Sequence, residues 1–328
     1  MTFSQLQSFA LVARLGSVKA AAARLGVSVP AVSEAIAALR RDLGDKLVVR
    51  AGRGVELTAG GQRLAAAAAE ILGIADQARR AVREAQGEPS LLRVAADSAA
   101  AEHAAGPLLD AFARRTQPTE VSLLLEPASA FADALVERVA DVTLGGRPAA
   151  DTGGGIEALP FLRYRLIVVA AASHRLGGRR QLPPAALAGE RWLTGPSGAE
   201  PQAALSRFLA THELAPDVRA FPSDAGAVSA AASGRGVMLV VAHAVVDELR
   251  RGSLIRLDVQ GTPLDELWYA SVLGPERRSP AASAFRHFVT TLEATQALLS
   301  RPGGVPAGHF RPPVYVTLWD SGEEYAAR

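Results

Sequence analysis

The sequence predicts a multidomain fold: a mainly α-helical, winged helix-turn-helix domain at the N-terminus, a long linker helix, and a two-lobed α/β domain. Three observations support this prediction. Short amphipathic segments separated by Gly and Ser fill residues 1–58, an Ala-rich heptad pattern fills residues 59–88, and strand-like and helix-like segments alternate from Leu91 onward. The 328 residues are enough for several domains, at roughly 150 residues each.

Charge is unevenly distributed along the chain. The formal net charge is only +2, but residues 1–60 hold eight basic residues against four acidic ones. The excess of Arg and Lys therefore lies in the N-terminal domain, and the part after residue 90 is mildly acidic. This distribution is typical of a polyanion-binding domain attached to a domain with another role.

The composition excludes several kinds of site. The chain has no cysteine, which excludes disulfides, thiolate nucleophiles and Cys-ligated zinc and is typical of a reducing cytoplasm. No apolar run reaches the length of about 18 residues that a membrane span needs, and the N-terminus lacks the pattern of a signal peptide. The six histidines show no metal-ligand spacing. We therefore expect a cytoplasmic protein with no membrane association, no metal and no cofactor.

The first part of the N-terminal domain has helix-turn-helix spacing. Ser17 caps a helix over 18–25, Gly26 makes a tight turn, Ser28 caps the next helix, and Pro30 lies in its first turn. The apolar residues of that third helix recur at helical spacing and predict one buried stripe: Val32, Ile36, Leu39 and Leu43.

The segment after Gly44 has the pattern of a wing. Residues 47–50 form an apolar strand, 51–54 a Gly-rich turn, and 55–57 a second strand. Thr58 then caps a long helix.

That long helix carries a heptad seam of small and apolar residues, which favours close pairing of two helices. The seam consists of Leu57, Leu64, Ile71, Ala78 and Ala85, with Gly61, Ala68, Ala75 and Val82 four residues after successive members. The alternative is a single Ala-rich helix that packs on its own domain. Residues 87–90, Gly-Glu-Pro-Ser, end the helix and begin a linker.

From Leu91 the alternation of strands and helices favours a mostly parallel α/β sheet in two consecutive sets. A final strand over 267–273 and a helix over 279–295 return to the first set. Two such sets in one chain predict two lobes with a cleft between them, where strand ends and helix N-termini supply hydrogen-bond donors.

The N-terminal run LQSFALVARLGSVKAAAARLGVSVPAVSEAIAALRRDLGDKLVVRAGRGVELTAGGQRL resembles the N-terminal domain of LysR-type transcriptional regulators. The segments 140–145, 173–176 and 232–239 are similar to landmarks of that family's effector-binding domain. The resemblance implies a winged helix-turn-helix domain over 1–58, a linker and dimerisation helix over 59–88, and a periplasmic-binding-protein-like effector domain over 89–296. Its subdomain I would comprise about 89–163 and 266–296, and its subdomain II about 164–265. Residues 297–328 would form a C-terminal extension.

Seven residues are the candidates for DNA contact. Ser28 and Ser33 can reach phosphates or base edges, and Arg50 and Arg53 flank the Gly-rich turn. The resemblance adds three further positions, and at two of them, Val29 and Lys19, this chain departs from the family pattern. Val29 replaces a Gln and is limited to apolar contact such as a thymine methyl, Pro30 follows it, and Lys19 replaces a helix-opening Thr but can bind phosphate. The competing interpretation of these side chains is ordinary solvated surface.

Six residues are the candidates for effector contact by their position in the resemblance. They are Asp97, Ser98, Ser129, Arg147, Thr194 and Ser197. The planar guanidinium of Arg147 can bind a carboxylate or phosphate bidentately, so an organic anion is a candidate effector. Asp97 is unsuited to an anion and would instead select a cationic or hydroxyl-bearing part of the ligand. The serines are alternatively simple helix caps, and Arg147 a surface residue.

The resemblance also implies partners and a function. We expect a regulator that binds double-stranded promoter DNA, responds to a small-molecule effector, forms a homodimer through the linker helix and a homotetramer from it, and contacts RNA polymerase if it activates. The tail segment Tyr315–Trp319 alternates two faces, and we expect it to dock as an extra strand or interface arm.

The alternative function is a DNA-independent small-molecule binding protein or an enzyme built on the α/β body. No catalytic residues are predicted, because 195–198 does not match the Gly-x-Ser-x-Gly elbow. The glycines Gly234 and Gly236 precede an apolar strand rather than a helix, which is against a dinucleotide loop.

Overall fold

The structure is a computed structural model that describes residues 1–52, 54–116, 119–148 and 155–299. These residues form two compact units. The first unit contains Met1–Glu88 together with Asp133–Val139, and the second contains Pro89–Ala132 and the described residues from Ala140 onward.

The N-terminal unit has the predicted order of helices and wing strands. Its elements are α1 (Phe3–Leu15), α2 (Val18–Leu25), α3 (Val29–Leu43), β1 (Val48–Ala51), β2 (Gly54–Leu57) and α4 (Ala59–Ala85). Strands β1 and β2 pair antiparallel from Val48↔Leu57 to Ala51↔Gly54. The side chains of Ser17, Ser28 and Thr58 cap α2, α3 and α4, so the sequence located these helix starts correctly.

The core of this unit explains the turn-and-helix pattern. Val32, Ile36 and Leu39 of α3 are buried and pack with Phe9 and Val12 of α1. The fourth member of the predicted stripe is wrong: Leu43 is 46% exposed, because α3 ends there and Gly44 turns the chain away in a left-handed conformation.

Helix α4 changes character along its length. In its N-terminal half, Gly61 and Ala68 are buried, and a Cβ on Gly61 would lie 1.9 Å from the Leu47 carbonyl oxygen. Further along, Ile71 and Val82 are 42% and 60% exposed. The first half therefore packs on its own domain, as the alternative interpretation held, while the second half leaves seam residues uncovered within the chain.

In the described residues of the α/β unit, nine strands form one continuous sheet. Its strands are β3 (Ser90–Ala96), β4 (Thr119–Leu125), β5 (Val142–Gly145), β6 (Ile156–Ala171), β7 (Trp192–Thr194), β8 (Val218–Ala220), β9 (Val237–Val241), β10 (Leu254–Leu257) and β11 (Leu264–Leu273). Its helices are α5 (Ser98–Ala100), a π-helical turn (Ala101–Ala105), α6 (Gly106–Arg115), α8 (Ala204–Thr211), α9 (Asp224–Ala232), α10 (Val246–Arg251), α11 (Pro280–Phe288) and α12 (Leu292–Leu299). Helix α7 (Phe131–Val136) begins in this unit, and its residues from Asp133 onward belong to the first unit.

The sheet is mixed, because two long strands join two parallel sets. The order is β4-β3-β5-β11-β6-β9-β7-β8, with β10 also paired to β6. Strands β3, β4 and β5 are mutually parallel, as are β7, β8 and β9, whereas β6 and β11 run antiparallel to their partners. The expected mostly parallel sheet is thus correct for each lobe and wrong for the pair of strands shared between them.

Both faces of the central strand β6 are covered. Leu166, Val168 and Ala170 belong to one buried apolar cluster, and Ile167 and Val169 belong to another. Alternate residues of a strand point to opposite faces, so the unbroken apolar run of β6 reflects helices packed on both sides of the sheet.

The C-terminal helix predicted over 279–295 is broken into α11 and α12. Helix α12 continues to Leu299 and so enters the segment assigned to the extension. The predicted docking strand Tyr315–Trp319 lies outside the described residues.

Among the residues that the structure describes, no single helix is both long and apolar enough to cross a membrane. The pair α2 and α3 passes that length and composition test only when combined, across a bend of 111°.

Candidate functional site

The described residues of the predicted nucleic-acid contact set are all exposed. Arg53 lies outside the described residues, and the others are Lys19, Ser28, Val29, Pro30, Ser33 and Arg50. Val29 is an apolar side chain that is 43% exposed at the start of α3. Its exposure leaves a methyl-bearing surface available to a partner.

The N-terminus of α3 and the wing are held by specific hydrogen bonds. The Ser28 hydroxyl accepts a hydrogen bond from the Ala31 amide at 3.3 Å, which makes it the helix cap. The Arg40 guanidinium donates to the Val48 carbonyl oxygen at 2.7 Å. Arg40 therefore fixes the first wing strand to α3, a role that the sequence did not indicate.

Asp45 connects the wing to the linker helix. Its carboxylate accepts hydrogen bonds from the Leu47 amide at 2.6 Å and from the Thr58 hydroxyl at 2.8 Å. These two bonds lower the pKa of Asp45. The Thr58 oxygen in turn accepts from the Gly61 amide at 2.9 Å, so one chain of hydrogen bonds orients wing and helix together.

The α/β unit contains a cleft with a volume of about 690 Å³. Its lining includes four of the six predicted effector residues, namely Asp97, Arg147, Thr194 and Ser197. The cleft lies where β3, β5 and β7 end, since Asp97 follows β3, Arg147 follows β5, and Thr194 is the last residue of β7. Its size is in the range of small-molecule sites.

Ser98 is the fifth predicted residue, and it joins the two sides of the cleft. Its hydroxyl lies 2.7 Å from the Ser197 hydroxyl. The Ser197 amide donates to Ser98 Oγ at 3.3 Å, and the Ala99 amide donates to Ser197 Oγ at 3.4 Å. These two serines therefore satisfy each other across the cleft.

Asp97 is a buried carboxylate with fixed orientation. Oδ1 accepts from the Ala100 amide at 2.8 Å and Oδ2 from the Gly146 amide at 2.9 Å. Burial raises the pKa of Asp97, and these amide bonds oppose the rise, while the nearby charge of Glu200 adds to it.

Ser129, the sixth predicted residue, contributes through its backbone. The Ala128 and Ser129 amides donate to the two carboxylate oxygens of Glu200 at 3.1 and 3.2 Å. Glu200 follows β7 and reaches these amides from the other side of the cleft. Its carboxylate thus accepts the two hydrogen bonds that the amides could otherwise donate to a bound anion.

A second polar group lies beside the cleft around Asp224, the first residue of α9. Ligand atoms of Glu102, His103 and Asp224 all lie within 4.8 Å of one another, a spacing compatible with a metal ion. The Asp224 amide also donates to Glu102 at 3.3 Å. Burial and the carboxylates of Glu102 and Asp97 raise the pKa of Asp224 to about 6, against a hydrogen bond from the Gly195 amide.

His243 packs behind this group. Its ring centroid lies 5.8 Å from that of His103 in an edge-to-face arrangement. Burial, followed by the charge of His103, lowers the pKa of His243 to about 4. The imidazole is therefore neutral at physiological pH.

Aromatic side chains form another wall of the cleft, made of Tyr164, Trp268 and Tyr269. The rings of Tyr164 and Trp268 lie 4.5 Å apart, and the Arg147 guanidinium stands over the Tyr269 ring at 5.8 Å from its centroid. Arg147, which we predicted to bind an anion, therefore packs over the face of the Tyr269 ring.

The charged residues of the lining are mostly acidic among the described residues. The carboxylates are Asp97, Glu200, Asp224, Asp265 and Glu266, and the guanidinium groups are Arg147 and Arg207. Arg207 forms an ion pair with Glu266, and Arg165 forms one with Asp265 at 3.2 Å.

The sequence alone did not indicate Glu102, Asp224, Glu200 or the aromatic wall. A signal existed for the aromatic wall, because the chain has only four tyrosines and three tryptophans and three of them meet here. Glu102 and His103 also interrupt an Ala-rich stretch. Their convergence with Asp224 depends on the sheet topology, which local pattern does not specify.

Two models of known protein families match this chain. The family model for the LysR substrate binding domain matches residues 85–293. The model for the bacterial regulatory helix-turn-helix protein, lysR family, matches residues 3–62.

Two individual proteins are similar over most of this chain, and a third over the α/β unit. An uncharacterized HTH-type transcriptional regulator of Mycobacterium tuberculosis is 39% identical over 325 residues, which cover 97% of this chain and 100% of that protein. The crystal structure of CbnR, a LysR family transcriptional regulator, matches with a TM-score of 0.58 at 25% identity and covers 88% of this chain and 98% of that one. The CcmR regulatory domain of Synechocystis in complex with 2-PG has the same fold as the α/β unit, with a TM-score of 0.53 at 24% identity, covering 61% of this chain and 95% of that one.

Proposed function

The chain belongs to the LysR family of bacterial transcriptional regulators, and from that membership we propose which residues contact DNA and which contact the effector. Members are DNA-binding regulators modulated by a small-molecule effector, and this protein is a regulator rather than an enzyme. The observation that carries the residue assignment is the exposed start of α3, where the capping Ser28 and the uncovered Val29 face solvent.

For DNA contact, the proposed set is Lys19, Ser28, Val29, Pro30, Ser33, Arg50 and Arg53. Helix α3 enters the major groove with Val29 and Ser33 toward base edges, and the wing arginines contact phosphates. In this arrangement Val29 contributes apolar contact with a thymine methyl and no hydrogen bond.

The test is a gel shift and footprint on the DNA upstream of the neighbouring divergent gene. Arg50→Ala and Arg53→Ala should each weaken binding to all sequences and reduce the slope of log affinity against log salt by about one. Val29→Gln should instead change base preference with an unchanged slope. Arg250→Ala is the matched control, because Arg250 is an exposed arginine of α10 in the effector domain. An unchanged slope for both wing variants would refute their assignment.

For effector contact, the proposed set is Asp97, Ser98, Ser129, Arg147, Thr194 and Ser197. Arg147 is the anchor for an acidic group of the effector, as expected for an organic anion. The serines supply hydroxyl donors once the effector separates Ser98 from Ser197.

The assembly and location follow from the same membership. We propose a homodimer through the exposed half of α4, a homotetramer formed from two dimers, contact with RNA polymerase if the protein activates, and a cytoplasmic location. The proposed domain limits are 1–58, 59–88, 89–296 and 297–328, with the effector domain divided into 89–163 with 266–296, and 164–265.

A further inference from the structure

We propose that the cleft of the effector domain binds an organic cation, a molecule with a protonated amine or guanidinium group, between Asp97, Asp224 and the ring of Tyr164. This inference rests on the proposed effector role of the cleft and names the chemical class of the effector. An acidic group at the other end of the molecule would reach Arg147.

The charge of the cleft carries the first part of the argument. Once Glu266 is paired with Arg207 and Asp265 with Arg165, the described part of the lining retains the carboxylates of Asp97, Glu200 and Asp224 against the guanidinium of Arg147. Asp97 is 5% exposed. Carboxylates in such a low-dielectric environment interact with a cation more strongly than they would in water.

The hydrogen bonds of the cleft disfavour an anion at the amides that would receive one. The Ala128 and Ser129 amides already bind the Glu200 carboxylate, and the Ala100 and Gly146 amides bind Asp97. An anionic effector would have to displace these carboxylates. A hydrogen-bond donor meets no such obstacle.

The same hydrogen bonds make the carboxylates ready acceptors. A carboxylate has about four lone-pair sites, and each oxygen of Asp97 uses one of them for an amide. The amides fix the orientation of the carboxylate before the ligand arrives, which reduces the entropic cost of binding.

The aromatic wall supplies an independent observation. Tyr164 lines the cleft and is partly exposed, and its ring packs at 4.5 Å between centroids on the buried ring of Trp268, which holds it in place. The face of such a ring attracts ammonium and guanidinium groups. Arg147 already stands over Tyr269 in the same cleft, so a cation on an aromatic face occurs here within the protein itself.

The size of the cleft favours a polyatomic ligand over a single ion. A volume of about 690 Å³ is far larger than a bare metal ion requires. The compact group of Glu102, His103 and Asp224 is nevertheless spaced for a metal, and the experiment separates the two kinds of cation.

The experiment is thermal denaturation and isothermal titration calorimetry of the full-length protein at constant ionic strength. The probes are putrescine, 4-aminobutyrate, butyrate, inorganic phosphate and MnCl2. We expect saturable binding of putrescine or 4-aminobutyrate and none of butyrate or phosphate. Asp224→Asn should weaken amine binding by about tenfold or more, as expected for loss of a buried charge partner. Tyr164→Leu is a second variant in case Asp224→Asn fails to fold, because it removes the aromatic face without changing the charge of the cleft and should also weaken amine binding.

The control variant is Asp217→Asn, whose carboxylate pairs with Arg191 on the exposed surface at 2.6 Å and should leave amine binding unchanged. Binding of phosphate or butyrate with no amine binding would overturn the inference, as would saturable binding of Mn²⁺ alone that Glu102→Gln abolishes. Promoter footprinting on the same samples keeps the two proposals distinct, because a protein that binds its promoter but no amine retains the proposed function and loses only this inference.

Discussion

Ser98 and Ser197 form a reciprocal hydrogen-bonded pair across the cleft, with their hydroxyl oxygens 2.7 Å apart. Ser98 follows β3 and Ser197 follows β7, which belong to different parallel sets of the same sheet. The pair therefore ties the two sets together at the mouth of the proposed effector site.

A double-mutant cycle on this pair should give a measurable coupling. Ser98→Ala and Ser197→Ala should each reduce the free energy of unfolding, and the coupling should be about 1 kcal/mol, the net value of one hydrogen bond. Urea denaturation of the wild type, both single variants and the double variant measures it. Strictly additive effects would show that the two hydroxyls do not support each other in solution.

Gly61→Ala should strongly destabilise the N-terminal unit. The added Cβ would lie 1.9 Å from the Leu47 carbonyl oxygen, and backbone cannot move aside as a flexible side chain can. We expect a loss of about 2 to 4 kcal/mol in the free energy of unfolding, read from urea denaturation. Gly189→Ala is the control, because a Cβ there meets nothing within 4 Å, and it should change the free energy of unfolding by no more than about 0.5 kcal/mol. Equal stability of the two variants would contradict the packing described.

Ser28→Ala separates helix capping from DNA contact. Loss of the cap should cost about 1 kcal/mol of stability, and loss of a DNA contact should lower promoter affinity in addition. Ser279→Ala is the matched variant, because Ser279 caps α11 through the Ala282 amide at 3.1 Å in the effector domain. If both variants lose stability and bind promoter DNA equally well in a fluorescence anisotropy titration, Ser28 is a cap and nothing more.

Deprotonation of Asp224 should lower the free energy of unfolding as pH rises through about 6. Its pKa is raised in the folded protein to about 6 from 3.8, so the folded state favours the protonated form. Its stabilising contribution is complete below pH 3.8 and is lost as pH increases through 6. The groups around it are the carboxylates of Glu102 and Asp97, the imidazole of His103 and the Gly195 amide, with Glu248 and Arg251 in the adjoining cavity.

The measurement is urea denaturation of wild type and Asp224→Asn between pH 4 and 7. The free energy of unfolding of the wild type minus that of Asp224→Asn should decrease by about 2 to 3 kcal/mol from pH 4 to pH 7. This size follows because each unit of pKa shift corresponds to about 1.36 kcal/mol. His243→Gln is the control, because His243 should have the opposite pH dependence. The pKa of His243 is lowered to about 4 in the folded protein, so its contribution to the free energy of unfolding is lost as pH falls from 6.5 toward 4. A flat profile for Asp224→Asn relative to wild type would exclude the raised pKa.

Ile71→Glu should dissociate the proposed dimer. Ile71 belongs to the heptad seam of α4 and is 42% exposed within the chain, so a charge there would be buried in a helix pair and strongly unfavourable. Sedimentation velocity should show a shift to monomer. Ala66→Glu, exposed on α4 but outside the seam, should keep the oligomer. Identical sedimentation of the two variants would contradict pairing through this seam.

Local sequence patterns were sufficient for the N-terminal unit. Caps at Ser17, Ser28 and Thr58 and left-handed glycines at the helix ends act within a few residues of themselves. Their positions in the chain therefore determine where helices and wing strands begin and end. The apolar stripe of α3 likewise predicted its buried face up to Leu39.

The chemistry of the cleft required the tertiary structure. The sequence indicated Asp97, Arg147, Thr194 and Ser197 because each follows or ends a strand, and strand ends meet at one edge of a sheet. It could not indicate that Glu200 would occupy the Ala128 and Ser129 amides, which lie more than 70 positions away. Nor could it indicate that Asp224 would lie against Glu102, 122 positions away. These contacts arise from the long antiparallel strands β6 and β11, and chain topology rather than local preference decides which charges meet.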